Sequence, residues 1–131
     1  MTIIPDACFT LKRGARQARF LLEVDRATES NGRWAQRVRN YLSYLARERL
    51  ASYPRVLIVT TSAARLEHLK GATEDAGGRA QFWFALLEQV RHDSVLTEPI
   101  WQVAGRQSAQ VLVSQDMART PPGGLQVARR P

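Results

Sequence analysis

This chain of 131 residues has one cysteine, Cys8, two histidines, His68 and His92, and two lysines, Lys12 and Lys70. A single cysteine excludes an internal disulfide, and no Cys/His cluster stands at zinc spacing. Neither histidine has a partner at ligand spacing, so both read as ordinary surface or helix residues. No apolar run approaches the roughly 18 residues that a membrane span needs, and Met1-Thr2-Ile3-Ile4 lacks the basic start and apolar stretch of a signal peptide. The expected location is the cytoplasm, with no membrane contact. Ser43, Ser62 and Ser94 lack a Gly-x-Ser-x-Gly setting, and there is no Gly-x-x-x-x-Gly-Lys loop, which sets aside serine-hydrolase and P-loop chemistry. No internal repeat is visible.

What the chain does hold is arginine. Nineteen basic residues face twelve acidic ones for a formal charge of +7, and all but the two lysines are arginine. The guanidinium is a planar fork suited to phosphate, so the excess points to nucleic acid, although a codon bias towards arginine gives the same composition. A hydrophobic content of 44% against 24% charged residues reads as a soluble globular chain. One α/β domain is expected over residues 1–116, with 117–131, rich in proline, glycine and arginine, as a disordered basic tail.

The first half reads strand, strand, helix, strand. The extended runs are Ile4–Leu11, Arg19–Asp25 and Arg55–Thr61, the last a continuous aliphatic run that suits a strand buried on both faces. Cys8 is expected to be buried in the first. Between the second and third, Trp34, Val38, Tyr41, Leu42 and Leu45 recur at helical spacing and predict a helix over 32–51, capped by Ser30 or Asn31. Ser62 is expected to cap a second helix ending at Gly77-Gly78. Gln81–Leu86 reads as a strand, with a helix over Ala85–Arg91 competing at its far end. Short extended pieces follow at Ile100–Val103 and Gln110–Val113. This order predicts an α/β fold: a mixed β-sheet opened by an antiparallel hairpin, with helices packed on it.

Three carboxylates stand out. Strand alternation puts Glu23 and Asp25 on one face. A turn at Arg13-Gly14-Ala15-Arg16 pairs Lys12 with Gln17 and sets Asp6 opposite Glu23. Like charges so placed are destabilising unless compensated, and a divalent cation is one compensator. Asp6, Glu23 and Asp25 are therefore the candidate ligands of Mg2+ or Mn2+, both partial to oxygen donors. Asp25 equally suits a cap for the turn into the helix. On that helix, Arg33, Arg37, Asn40, Tyr44 and Arg47 recur at three- and four-residue steps. With Arg26 they make a nucleic-acid candidate face, which a solvated helix side explains about as well.

Pro5-Asp6 followed by Glu23-Val24-Asp25 resembles the PD-(D/E)XK nuclease motif, which implies a restriction-endonuclease-like fold and metal-dependent cleavage. In order along residues 3–103, Ile4-Pro5-Asp6-Ala7, Leu22 to Glu29, Tyr41, Pro54 to Thr60 and Pro99-Ile100-Trp101 resemble the C-terminal region of plasmid replication-relaxation proteins. That family is associated with plasmid replication and DNA relaxation and typically carries a winged-helix segment ahead of this region. The nuclease motif wants lysine where this chain has Asp25. The resemblance leaves Glu23, Asp25 and Arg37 as catalytic candidates, with Arg37 in the place of a basic residue moved to the helix. Arginine holds phosphate but stays protonated, so it cannot act as a general base.

Two readings compete: a metal-dependent deoxyribonuclease of plasmid replication or mobilisation, and a non-catalytic DNA-binding or protein-interaction module on the same scaffold. A third is an assembly factor that meets relaxosome or replication proteins, or forms a homodimer, through its hairpin or its Phe82-Trp83-Phe84 strand.

Overall fold

The computed structural model describes residues 3–47, 54–112 and 126–130, the last as backbone only. Its first two strands, β1 (Ala7–Arg13) and β2 (Arg16–Val24), form the expected hairpin. Lys12 pairs with Gln17 and the ladder runs to Ala7 opposite Leu22, as the sequence register requires. Gly14 turns the chain at a φ of 59°, a backbone state that glycine adopts without a Cβ penalty.

Helix α1 (Asn31–Arg47) begins at Ser30, whose Oγ accepts the Arg33 N–H at 3.2 Å. Its predicted extension over 48–51 lies outside the described residues. Strand β3 (Arg55–Thr60) follows, then α2 (Ala63–Asp75), capped by Ser62 Oγ, which accepts from the Arg65 N–H at 3.1 Å. Past the end of α2, Gly77 takes a φ of 98° while Gly77 and Gly78 donate to the carbonyls of Glu74 and Thr73. That double return is a Schellman closure. Strand β4 (Phe82–Leu86) keeps its strand form to the end, and a single 3-10 turn at Leu87–Gln89 replaces the competing helix. The Ile100–Val103 piece shortens to β5 (Gln102–Val103), and Gln110 makes one bridge to Trp101. Val113 lies outside the described residues.

The sheet order is β5-β4-β3-β2-β1-β6, with β2, β3 and β4 parallel and the outer pairings antiparallel. Strand β6 (Gln126–Arg130) lies antiparallel along β1. Over those five residues a ladder replaces the expected disorder, because the free edge of β1 offers backbone partners; 117–125 lie outside the described residues.

Two successive parallel crossovers carry both helices to one face of the sheet. There Trp34, Val38 and Tyr41 of α1 and Leu66 and Leu69 of α2 pack on Leu21, Val56, Ile58, Phe82 and Phe84. The opposite face, with Phe20, Leu57, Val59, Trp83 and Val103, is covered by Val90, Val95, Leu96 and Ile100 of the irregular segment after β4. The aromatic strand expected to mediate dimerisation is therefore interior: Phe82, Trp83 and Phe84 are all buried between β3 and β5. Cys8 is half-buried and packs at the margin of the helix-side core.

Candidate functional site

The parallel pairing of β2 with β3 sets Val24 beside Val59, so both strands end at one edge of the sheet, where α1 and α2 begin. Ligand sites in α/β sheets gather at such carboxyl ends. Asp25 leaves β2 with its N–H still bonded to Val59 O at 2.8 Å. Its Oδ2 accepts from Thr60 Oγ1 at 2.8 Å and from Arg65 Nε at 2.9 Å, while Oδ1 accepts from Arg65 Nη2 at 3.0 Å. Arg65 stands in the first turn of α2, where a cation opposes the helix dipole, and the Asp25 carboxylate offsets that cost. Arg65 Nη2 also donates to Glu29 O at 2.8 Å, which fixes the loop between β2 and α1. In that loop Ala27 holds a positive φ of 59°, and its N–H bonds Asp25.

Glu23 points to the helix side, is 4% exposed, and lies under α1. Tyr41 Oη donates to its Oε1, and Arg37 pairs with its Oε2. Arg37 reaches Glu29 Oε2 at 3.2 Å through its other terminal nitrogen. Its guanidinium also sits 5.8 Å from the centre of the Trp34 ring. Trp34 in turn donates Nε1–H to Thr73 Oγ1 of α2 at 2.8 Å, tying the two helices together above the site. The chain Tyr41–Glu23–Arg37–Glu29 is thus held from both strand and helix.

The two acids differ electrostatically. Burial raises the pKa of Glu23 above its ordinary 4.5, against the pull of the Tyr41 hydrogen bond and the Arg37 charge. Burial also works against the charge of Asp25, but the bonds from Arg65 and Thr60 and the Arg65 charge together hold it below 3.8. Tyr41 is pushed well above its ordinary range by burial and by its bond to Glu23. It remains a donor at any ordinary pH.

Asp6 is exposed and lies just outside β1. Its N–H bonds Leu22 O at 2.9 Å, and its Oδ2 accepts the Val24 N–H at 2.7 Å. Asp6, Glu23 and Asp25 do line one polar pocket of about 280 Å³, with Arg26, Glu29 and Arg37. Their oxygens, however, are taken: both on Glu23, both on Asp25 and one on Asp6 already accept hydrogen bonds or an ion pair. Among the described residues no group of three or more His, Cys, Asp or Glu side chains is placed to hold a metal ion. The expected Mg2+ or Mn2+ site does not fit this arrangement, because Arg37 and Arg65 supply the compensating charge that the sequence assigned to a cation.

Of the arginines expected to meet nucleic acid, Arg26, Arg33 and Arg47 are exposed, while Arg37 is bound to two carboxylates. A phosphate would have to compete with Glu23 and Glu29 for its charge. Tyr44 packs against the helix-side core rather than outward. Arg65, Thr60 and Glu29 were not singled out from the sequence. Parallel pairing of β2 with β3 would have put Thr60 beside Asp25, and the Ser62 cap put Arg65 in the next turn.

Residues 1–61 match the model of the replication-relaxation family. That span contains β1, β2, α1 and β3, and with them Asp6, Glu23, Asp25, Arg37 and Tyr41. The expected likeness over 99–101 falls outside it. No curated protein and no solved structure matches the chain. No helix of the described residues is long and apolar enough to cross a membrane.

Proposed function

We propose that this chain serves plasmid replication or mobilisation as a DNA-contacting module that does not cleave. It keeps a nuclease-like order of strands and acids, but its carboxylates have become internal ties. The observation that carries this reading is the pairing of Glu23 with Arg37 and of Asp25 with Arg65. Each acid is neutralised by a fixed guanidinium, so a divalent cation would have to break two charge-assisted contacts to bind. Lysine points the same way. Lys70 is bonded to Arg106 O and sits 4.0 Å from Glu74, and Lys12 lies at the far end of the hairpin, so neither is available to orient a water at the acids. The likeness of the first 61 residues to replication-relaxation proteins supplies the context.

The test is a nicking assay on supercoiled plasmid with Mg2+ or Mn2+, beside duplex binding measured in EDTA. The expected outcome is binding that persists in EDTA and no nicking beyond that of Glu23→Gln. Metal-dependent nicking abolished by both Asp6→Asn and Glu23→Gln would overturn the reading in favour of a deoxyribonuclease.

A further inference from the structure

Helix α1 contains no acidic residue, and its outward positions carry three arginines. Arg33, Arg39 and Arg47 are all exposed. At 100° per residue they fall within an arc of about 120° on the side opposite Val38 and Leu45, which are buried against the sheet. From first to last they span about 21 Å along the axis. Among the described residues none of the three has a carboxylate partner, in contrast to Arg37 on the inner flank. Gln36, between them, accepts from Arg39 Nη2 at 3.0 Å and donates to Asn40 Oδ1 at 3.1 Å, so its amide is used within the helix.

We infer that this outward face of α1 is the surface that grips DNA, by the phosphate backbone of a duplex and without reading its sequence. The inference rests on the DNA-contacting role proposed above and deepens it by naming the face and the form of DNA. Two features select a duplex backbone. Recognition of single strands uses exposed aromatic rings as stacking platforms, yet among the described residues the exposed large hydrophobic ones are Ile4, Val24 and Leu87, none of them aromatic. Reading an adenine edge takes a free Asn or Gln amide, and on this face the Gln36 amide is bonded to Arg39 and Asn40. Three guanidinium groups without a carboxylate partner among the described residues remain on one helix, which suits phosphates. Arg39, absent from the residues first expected to meet nucleic acid, takes the place that Arg37 gives to Glu23.

The test is fluorescence anisotropy with a labelled duplex and its single strand over a salt series. The native chain is set beside the triple variant Arg33→Gln, Arg39→Gln, Arg47→Gln and a control with Lys12→Gln and Arg91→Gln. Circular dichroism confirms that each is folded, and the corresponding triple Arg→Lys variant should restore binding. The triple Gln variant should lose about three units of the slope of log K against log salt and bind roughly a hundredfold more weakly at 0.1 M, by a similar factor on unrelated duplex sequences. The control should keep most of the slope. If the native chain binds duplex and the triple variant matches it, this face is wrong while the DNA-contacting reading stands. Preference for the single strand overturns the duplex assignment. Absence of any salt-sensitive DNA binding by the native chain overturns both.

Discussion

Tyr41 is 1% exposed and its hydroxyl donates to Glu23 Oε1, so removing it leaves a buried carboxylate oxygen without its donor. Tyr41→Phe is expected to cost about 1–3 kcal/mol at neutral pH, read as a lower midpoint in denaturant unfolding. The cost should shrink on acidification, as Glu23 takes up a proton. Because burial raises Glu23 above 4.5, the folded chain holds that proton more tightly than the unfolded chain. Its contribution to stability therefore falls as pH rises from 4.5 through the folded value, and it is least favourable at neutral pH. Asp25 has the opposite sign. Its folded value lies below 3.8, so its contribution is fully present above that pH and fades as pH falls through the folded value. Glu23→Gln should flatten the stability curve above pH 4.5, whereas Asp25→Asn should lower stability at neutral pH and leave the slope above pH 4.5 in place. Equal slopes for native chain and Glu23→Gln would contradict the assignment. The sequence named Glu23 and Asp25 as members of one site, but not their ties. Arg65 is forty positions from Asp25, and no local periodicity links them.

Among the elements, the register of the hairpin was legible to the residue, while its strand ends differ by one to three residues from those expected. Alternation of apolar side chains and a glycine at the turn fix a two-residue repeat, and a slip by one would have put Leu11 and Phe20 on the wrong face. Helix α2 shows the same legibility at its ends, where Ser62 carries the start and Gly77-Gly78 the stop. Gly78 has a further constraint, since a Cβ there would lie 2.5 Å from Thr73 Cγ2 and 3.0 Å from Thr73 O. Gly78→Ala should destabilise by about 1–3 kcal/mol through overpacking, measured by thermal or denaturant unfolding, and Thr73→Ser should recover part of the loss by removing the clashing methyl. No recovery would place the cost in the Phe82 ring, 2.9 Å from that Cβ, or in the Thr73 carbonyl. Beyond β4 legibility falls. The segment 87–112 packs through scattered apolar residues with no steady period, so its 3-10 turn could not be drawn from pattern, and the extended piece read at Ile100–Val103 kept only its last two residues as β5.

For the molecule as a whole, the two faces of the sheet are covered by different means, helices on one and an irregular segment on the other. Strand β3, hydrogen-bonded on both sides and buried from Val56 to Thr60, should hold the slowest-exchanging amides. The stretch 87–100, whose turns rest on isolated backbone bonds, should exchange fastest among the parts that cover the core. Hydrogen exchange followed by mass spectrometry checks this, and uniform protection across both would contradict it. By itself the sequence determined the alternation of strands and helices, the hairpin register, the helix caps, the arginine-rich charge and the gathering of acids near Glu23. Those properties are set by neighbours within a few residues or by composition. Only the tertiary structure decided what neutralises the acids. Parallel pairing of β2 with β3 brought Arg65 to Asp25, and packing of α1 on the sheet brought Arg37 and Tyr41 to Glu23. Charge compensation depends on which atoms meet within about 3 Å, and that distance is a property of the packed chain.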